Sequence, residues 1–240
     1  MSAFDTLWRG GKWGGGFGLL GGTACGLVYV VEVMGQSGIP WVALVVRAYS
    51  LALFCGLVCG ATLELASRKP LGAAIRLVGF VLAGGGAGAF GAFAIATLPN
   101  TPFPGPLAGA TTIGTAVLGF GLRAVSLATA RPLVWCVAPA IAPALLLAPL
   151  LAASFDAGGM LTLDALRDDV LRLGLVPLGA LAGGLVGGLA SLGVSASVSV
   201  ANLVNAIERR LRGRGRASTE PASDDRAPVR TAAAFSDRPR

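Results

Sequence analysis

The chain has 240 residues, of which 54% are hydrophobic and 13% are charged. Soluble domains carry about 25% charged residues, so this composition, with a mean hydropathy of +0.74, excludes an ordinary soluble domain. Histidine is absent, which removes the usual general base and the usual metal ligand. The sequence contains no nucleotide-binding loop, hydrolase elbow or zinc-binding motif. We therefore expect no enzymatic activity, no metal and no cofactor.

Several apolar stretches reach the length that crosses a bilayer, about 20 residues. The sequence therefore predicts an all-α integral membrane protein, a bundle of six transmembrane helices within a domain over residues 14–205. The predicted spans are 14–33, 41–66, 72–97, 107–129, 133–153 and 174–203. Residues 1–13 precede this domain, and residues 206–240 form a tail that is first basic and then disordered by composition.

Small residues recur at every fourth position in three of these spans. On a helix each series forms one strip with almost no side chain, which allows a neighbouring backbone to approach closely in a bilayer. These glycine strips are Gly10, Gly14, Gly18, Gly22 and Gly26 in the first stretch, Gly84 and Gly88 in the third, and Gly179, Gly183 and Gly187 in the last. The pattern predicts glycine-zipper packing and leaves open whether the strips pack within one chain or between chains.

Basic residues mark every second connection between the spans. They are Arg9 and Lys12 at the start, Arg68 and Lys69, Arg131, and the run Arg209 to Arg216. Because basic loops stay on the cytoplasmic side, we expect both termini in the cytoplasm and an even number of spans in the cell (inner) membrane. The apolar phase predicts that the last helix continues beyond its span into the basic run. We expect that run to contact anionic inner-leaflet lipids rather than nucleic acid.

Ionisable residues within spans are costly in lipid and are therefore candidates for function. Glu32 and Arg47 flank the first loop at similar distances, which predicts an ion pair near the outer surface. Glu64 and Arg76 flank the second loop in the same way, and Arg123 lies at a comparable depth, which predicts a cluster near the inner surface. Two interpretations stay open for both groups: structural pairs near the interfaces, or gates that contact a solute.

Three prolines fall in the fifth span, two of them, Pro139 and Pro143, in its first half. Each proline removes a backbone donor, so the pattern predicts a broken or bent helix. Transporters use such breaks to present backbone groups to a ligand, although membrane helices also tolerate proline as a matter of shape. In the facing half of the fourth span, hydroxyls for such a site would come from Thr111, Thr112 and Thr115.

Two function classes follow from these patterns. The first is a small permease or channel-like protein for a neutral or weakly polar solute; the bilayer centre carries no ionisable residue, which argues against a proton relay. The second is a non-catalytic subunit of a larger membrane assembly, packed through its glycine strips as a homo-oligomer or against other subunits. A division into two inverted halves of three spans is open as well, although the second and fifth spans do not resemble each other.

Overall fold

The computed structural model describes residues 2–33, 41–68, 71–97, 106–159 and 169–217. Over these ranges the chain forms six α-helices and no strand, and a short 3₁₀ turn over Leu133–Cys136 precedes the fifth helix. The helices are α1 (Ala3–Val33), α2 (Trp41–Ala66), α3 (Gly72–Thr97), α4 (Pro106–Thr129), α5 (Val137–Gly159) and α6 (Asp169–Ala217). The chain divides into two compact units, of which the first ends at Leu203 and the second begins at Val204.

Five segments of the described helices are long and apolar enough to cross a membrane. They are Val46–Ala66, Gly72–Phe93, Thr111–Thr129, Leu133–Leu151 and Gly174–Gly213. These apolar helices are those of a polytopic membrane protein. The first predicted span, residues 14–33, lies in α1 and is not among the five. The side chains at 29 and 31–33 lie outside the described residues, so the sixth span stays a prediction.

Helix α1 begins well before the predicted span, because its first turn is capped. The Ser2 hydroxyl accepts a hydrogen bond from the Asp5 amide at 3.1 Å, and the Asp5 carboxylate accepts one from the Ser2 amide at 3.1 Å. This reciprocal arrangement is a capping box. The side-chain and backbone hydrogen bonds from Ser2 lower the pKa of the Asp5 carboxyl. Thr6, one residue further, is buried, so this segment packs instead of forming a loose terminus.

The glycine strip of α1 lies directly on α2. A Cβ added at Gly14 would be 1.8 Å from the carbonyl oxygen of Gly56, and one at Gly18 would be 2.2 Å from that of Ala52. Real Cβ atoms essentially never come within 3.0 Å of another atom, so only glycine allows this approach. Residue numbers rise along α1 as they fall along α2, which means that the helices are antiparallel. Gly26 has open space instead of a contact within 4 Å.

The glycine strips of α3 and α6 meet each other in the same way. A Cβ at Gly84 would lie 2.1 Å from the carbonyl oxygen of Gly183, and one at Gly88 would lie 1.9 Å from that of Gly179. Further along, a Cβ at Gly187 would lie 2.0 Å from the carbonyl oxygen of Phe80. This pair is also antiparallel. The described residues of these strips thus contact each other within one chain.

Side chains, rather than backbone contacts, join these two helix pairs to each other and to α4. The largest buried cluster takes residues from α2, α3, α4 and α6, and its members are Cys59, Leu63, Phe80, Ala83, Phe120, Ala124 and Val194. Helix α5 packs on α4, where Ala144 and Leu151 are buried against Val117. The core of the first unit is thus built around α4.

The fifth span has no break at Pro143 or Pro149, because α5 is a continuous α-helix that contains both; the predicted bend stays a prediction. Pro139 is the third residue of α5, where a backbone N–H has no intrahelical acceptor to lose. Pro143 itself is buried, and membrane helices tolerate proline at such positions. The irregular backbone lies earlier, at Ala130, whose φ of 53° ends α4.

Helix α6 continues past residue 203, as the apolar phase predicted, and ends at Ala217. In the second unit its exposed side chains include Val204, Ile207 and Leu211. Arg212 forms an ion pair with Glu208 one turn earlier. A contact between the basic run and anionic lipids stays a prediction.

Candidate functional site: a buried ion pair between α2 and α4

Glu64 lies in the last turn of α2, on the face that packs against α1. It follows Gly56 and Gly60 at the same four-residue spacing, so it continues the line that faces the α1 strip. A Cβ added at Gly10 would be 2.9 Å from both Cβ and Cγ of Glu64. The carboxylate stem therefore fits only because residue 10 lacks a side chain. Glu64 is 4% exposed, which makes it a buried acid within an apolar helix.

Arg123 of α4 supplies the charge that this acid needs. Its Nη2 donates a hydrogen bond to Oε1 of Glu64, and the side chains are 17% and 5% exposed respectively. The guanidinium carbon lies 5.0 Å from the ring centroid of Trp13, a cation–π geometry. Because burying a charge is expensive unless it is paired and hydrogen-bonded, this contact makes the buried carboxylate tolerable. The site joins α1, α2 and α4.

An unbroken row of aromatic rings leads from this ion pair into the core. Trp13 stacks on Phe17 at 5.6 Å between centroids, Phe17 lies 6.3 Å from Phe120, and Phe120 meets Phe80 edge-on at 5.4 Å. A Cβ at Gly119 would be 2.4 Å from the Phe17 ring, so glycine makes room for that ring on α4. The pair is therefore polar on one side and backed by apolar rings on the other.

Arg76 does not join Glu64, although it was predicted to. Its Nη2 donates to the Ser195 hydroxyl of α6 at 2.7 Å, and that hydroxyl donates to the Ser191 carbonyl oxygen at 2.9 Å. The physical reason is the helix face. Arg76 precedes Gly84 and Gly88 at the same four-residue spacing, so it lies on the side of α3 that packs on α6. The number of residues between Arg76 and the second loop predicted its depth, but it did not predict which face of α3 carries the side chain.

Both arginines of the site keep one donor without a partner. The Nε atoms of Arg76 and Arg123 are buried, and no described residue accepts a hydrogen bond from either. A buried donor without an acceptor costs free energy, about 1–3 kcal/mol. These two atoms are therefore the polar groups at this end of the first unit with unused hydrogen-bonding capacity.

The other predicted site residues are Glu32, Arg47 and the threonines of α4. The side chain of Glu32 lies outside the described residues, so its pairing with Arg47 stays a prediction. Thr115 directs its hydroxyl to the carbonyl oxygen of Thr111 on its own helix, at 2.7 Å. Thr112 lies beside α1, with its methyl group 3.9 Å from a Cβ position at Gly21. A threonine-lined site beside α5 stays a prediction.

Sequence reasoning missed two partners, Trp13 and Ser195. Ser195 belongs to the series Ser191, Ser195 and Ser199, which continues the α6 glycine strip at the same spacing. Pairing the α3 and α6 strips would therefore have predicted a serine partner for Arg76. Trp13 follows the basic start of the chain, which is typical of an interfacial aromatic. Its role over Arg123 requires the three-dimensional arrangement.

The ion pair lies at the end of the first unit where Arg9, Arg68 and Arg131 also lie. The antiparallel packing places the start of α1, with Arg9, beside the end of α2, and Arg68 follows directly. The contact between Arg123 and Glu64 brings the end of α4 to the same place. Arg131 follows in the next turn, where its carbonyl oxygen accepts a hydrogen bond from Ser126 at 2.8 Å. This basic end is the region around the candidate site.

No protein-family model matches the chain, and no curated protein or solved structure shows significant similarity to it. The helices themselves define the class, since five of them fit a polytopic membrane protein. The activity must therefore be argued from the geometry of the site.

Proposed function

We propose that this protein is a small permease or channel-like protein for a neutral or weakly polar solute, closed at its basic end by the pair of Glu64 and Arg123. The observation that carries the proposal is the burial of this charged pair between two apolar helices. Ionisable residues in such positions are rare and mark pathways by default. The proposal includes no catalytic step.

The geometry limits where a solute could pass. Nothing fits between α1 and α2 or between α3 and α6, because their backbones touch along the glycine strips. The contacts of α4 with these pairs are made by side chains, among them Phe17, Phe120 and Arg123. Side chains can change rotamer whereas touching backbones cannot, so the opening is assigned to the contacts of α4. Rigid helix pairs that move about a fixed site are how many transporters alternate access.

The chemistry of the closed end favours a solute without net charge. Glu64 and Arg123 compensate each other, and the groups next to them are aromatic and aliphatic. An ion that entered between Glu64 and Arg123 would lose its hydration, and neither member of this pair is a free counter-charge, so entry would cost several kcal/mol. A neutral molecule with hydroxyl or amide groups would instead exchange hydrogen bonds with the pair as it separates.

The membrane placement is part of the same proposal: six spans in the cell membrane with both termini cytoplasmic. It is supported by the packing of α1, whose residues 10–18 run antiparallel to residues 60–52 of α2. Those α2 residues belong to Val46–Ala66, which is apolar enough to span. It is also supported by the basic residues gathered at one end, which the positive-inside rule assigns to the cytoplasm. In this placement the strips act as glycine zippers between helices in lipid.

The contacts that the glycine strips make within the chain also count against the alternative function, a subunit of a larger assembly. That hypothesis expected the strips as the surface that binds other subunits. Because Gly14 and Gly84, for example, are covered by Gly56 and Gly183 of the same chain, that surface is already occupied. The permease is therefore the better-supported function.

The test is osmotic swelling of proteoliposomes, followed by stopped-flow light scattering with glycerol and with urea. Wild-type vesicles should swell at least tenfold faster than protein-free vesicles for one of these solutes. The double variant Glu64→Leu/Arg123→Leu should lose this permeability and keep its thermal stability, because an apolar replacement of a buried ion pair is often neutral or stabilising.

A matched control comes from the exposed ion pair of Glu208 and Arg212. The double variant Glu208→Gln/Arg212→Gln should swell like the wild type. Swelling of wild-type vesicles at the protein-free rate for both solutes contradicts the proposal. Stoichiometric foreign subunits in native mass spectrometry of the gently solubilised protein would point to the assembly subunit instead.

A further inference from the structure

A groove on the outer face of α1 borders the ion pair through Trp13, whereas its cationic residues, Arg9 and Lys12, are not used by the proposed function. It is a shallow, open groove with a volume of about 480 Å³. All of its lining residues lie on one face of α1; they are Arg9, Lys12, Trp13, Gly16, Phe17 and Leu20. The face is cationic at its N-terminal end and apolar at the other.

The cationic end reaches toward the membrane surface. Lys12 lies beside the α2 residues near Val58, eight residues before the end of α2 at Ala66, or about 12 Å along the helix axis. Its ammonium group nevertheless sits 5.1 Å from the ring centroid of Trp8, one turn closer to the N-terminus. This is the snorkelling geometry of a lysine that reaches from the apolar region toward the headgroups. Arg9 is exposed beside it.

The apolar end of the groove is a shallow depression on the surface of α1. Gly16 forms the floor, since a Cβ added there would meet nothing within 4 Å. Phe17 and Leu20 form the walls, and Leu20 is 60% exposed. An extended hydrocarbon chain fits such a groove, because it would cover exposed apolar surface and fill the space that the missing side chain leaves.

We propose that this groove binds one anionic phospholipid, with its phosphate and anionic headgroup at Arg9 and Lys12 and one acyl chain over Gly16 along Phe17 and Leu20. Charge complementarity selects this occupant. A second copy of the chain related by a two-fold axis would bring the same cationic ends together, and like charges opposed across an interface cost free energy. A zwitterionic lipid offers the same acyl chain without the net negative charge.

The test uses the full chain in mild detergent with equimolar phosphatidylglycerol and phosphatidylcholine of identical acyl chains, counted by native mass spectrometry. The wild type should retain one phosphatidylglycerol per chain, with at least a fivefold preference over phosphatidylcholine. The variant Arg9→Gln/Lys12→Gln should lose the preference. The variant Gly16→Leu keeps both charges but fills the groove, so it should retain neither lipid above background.

Two controls separate a built site from general attraction. Gly26→Leu also introduces a side chain on α1, at a position where no described atom lies within 4 Å of an added Cβ and outside the groove, and should retain phosphatidylglycerol like the wild type. Arg209→Gln/Arg210→Gln removes two exposed charges from the basic run and should leave the preference unchanged. Melting temperatures without added lipid should be equal for Gly16→Leu and Gly26→Leu, which shows that both are folded.

Three results would overturn the proposal. Equal retention of the two lipids by the wild type would remove the anionic selectivity. Wild-type retention by the folded Gly16→Leu variant would show that the groove is not the site, and a dimer without bound lipid would show that a second copy occupies it. None of these outcomes depends on whether the protein transports a solute.

Discussion

The interface between α1 and α2 and the interface between α2 and α4 lie side by side but are built differently. The first is a contact of backbones, in which a Cβ on Gly14 would overlap the Gly56 carbonyl oxygen. The second is a contact of side chains, in which an ion pair joins Glu64 and Arg123. Glycine contact fixes the separation of two helices, whereas side-chain contact leaves room for rearrangement. One small chain therefore combines rigid helix pairs with an interface that can change.

The largest expected effect comes from adding one methyl group to the rigid interface. Gly14→Ala would place a Cβ 1.8 Å from a backbone oxygen, so the helices must separate, at a cost of about 3 kcal/mol or more. Gly16→Ala, half a turn away in open space, is the matched control and should not destabilise the protein. Thermal unfolding in detergent measures both variants. Equal melting temperatures would show that the backbone contact does not hold the pair together.

The next effect tests the side-chain interface. Glu64→Gln should lower the free energy of unfolding by about 3 kcal/mol, because it leaves Arg123 without its buried counter-charge. Glu208→Gln removes the acid of an exposed pair one helical turn apart, a type of pair worth about 0.3–0.5 kcal/mol, and should change stability little. Melting temperatures of the two variants give the comparison. An unchanged value for Glu64→Gln would mean that the pair does not stabilise the fold.

A smaller effect is expected where a charged group meets the end of a glycine strip. Ser195→Ala removes the hydroxyl that accepts the hydrogen bond from Arg76, and we expect a loss of about 1 kcal/mol. Ser199→Ala removes an exposed hydroxyl that donates only to the Ser195 carbonyl oxygen, so it should be close to neutral. Chemical denaturation of the two variants distinguishes them. An equal loss of unfolding free energy in both variants would show that the hydrogen bond from Arg76 does not stabilise the protein.

The smallest effect lies at the start of α1, where pH acts on the capping box. The pKa of Asp5 is lowered in the folded chain, so the cap contributes its full stability above the unfolded value, about 3.9, and loses it as the pH falls through the lower folded value. The NMR amide signals of the first turn should therefore change only below about pH 4. Asp5→Asn should abolish that transition. A transition near pH 6 would contradict the assignment to Asp5.

The sequence predicted those features that depend on composition and periodicity. The apolar stretches gave α2 and α3 at their observed bounds, and the four-residue phase of Gly84 and Gly183 indicated which faces pack. Helix partners and helix faces were harder, because they depend on how strips register with each other. Arg76 was therefore assigned to Glu64 instead of Ser195. The prolines of α5 suggested a break for another reason. The sequence does not show that Pro139 falls in the first turn of α5, where proline is tolerated, or that Pro143 is buried.

The four-residue period of the glycine strips creates a problem of alignment. If α1 shifted along α2 by one helical turn, about 5.4 Å, Gly14 would still lie opposite a glycine, because Gly60 would take the place of Gly56. Two contacts mark the correct alignment. At one end Arg123, which is paired with Glu64 of α2, lies over the ring of Trp13 of α1, and at the other the hydroxyls of Thr23 and Tyr49 are 3.0 Å apart. The glycine strips pack the two helices together, and the polar contacts at their ends favour one register over the register shifted by one turn.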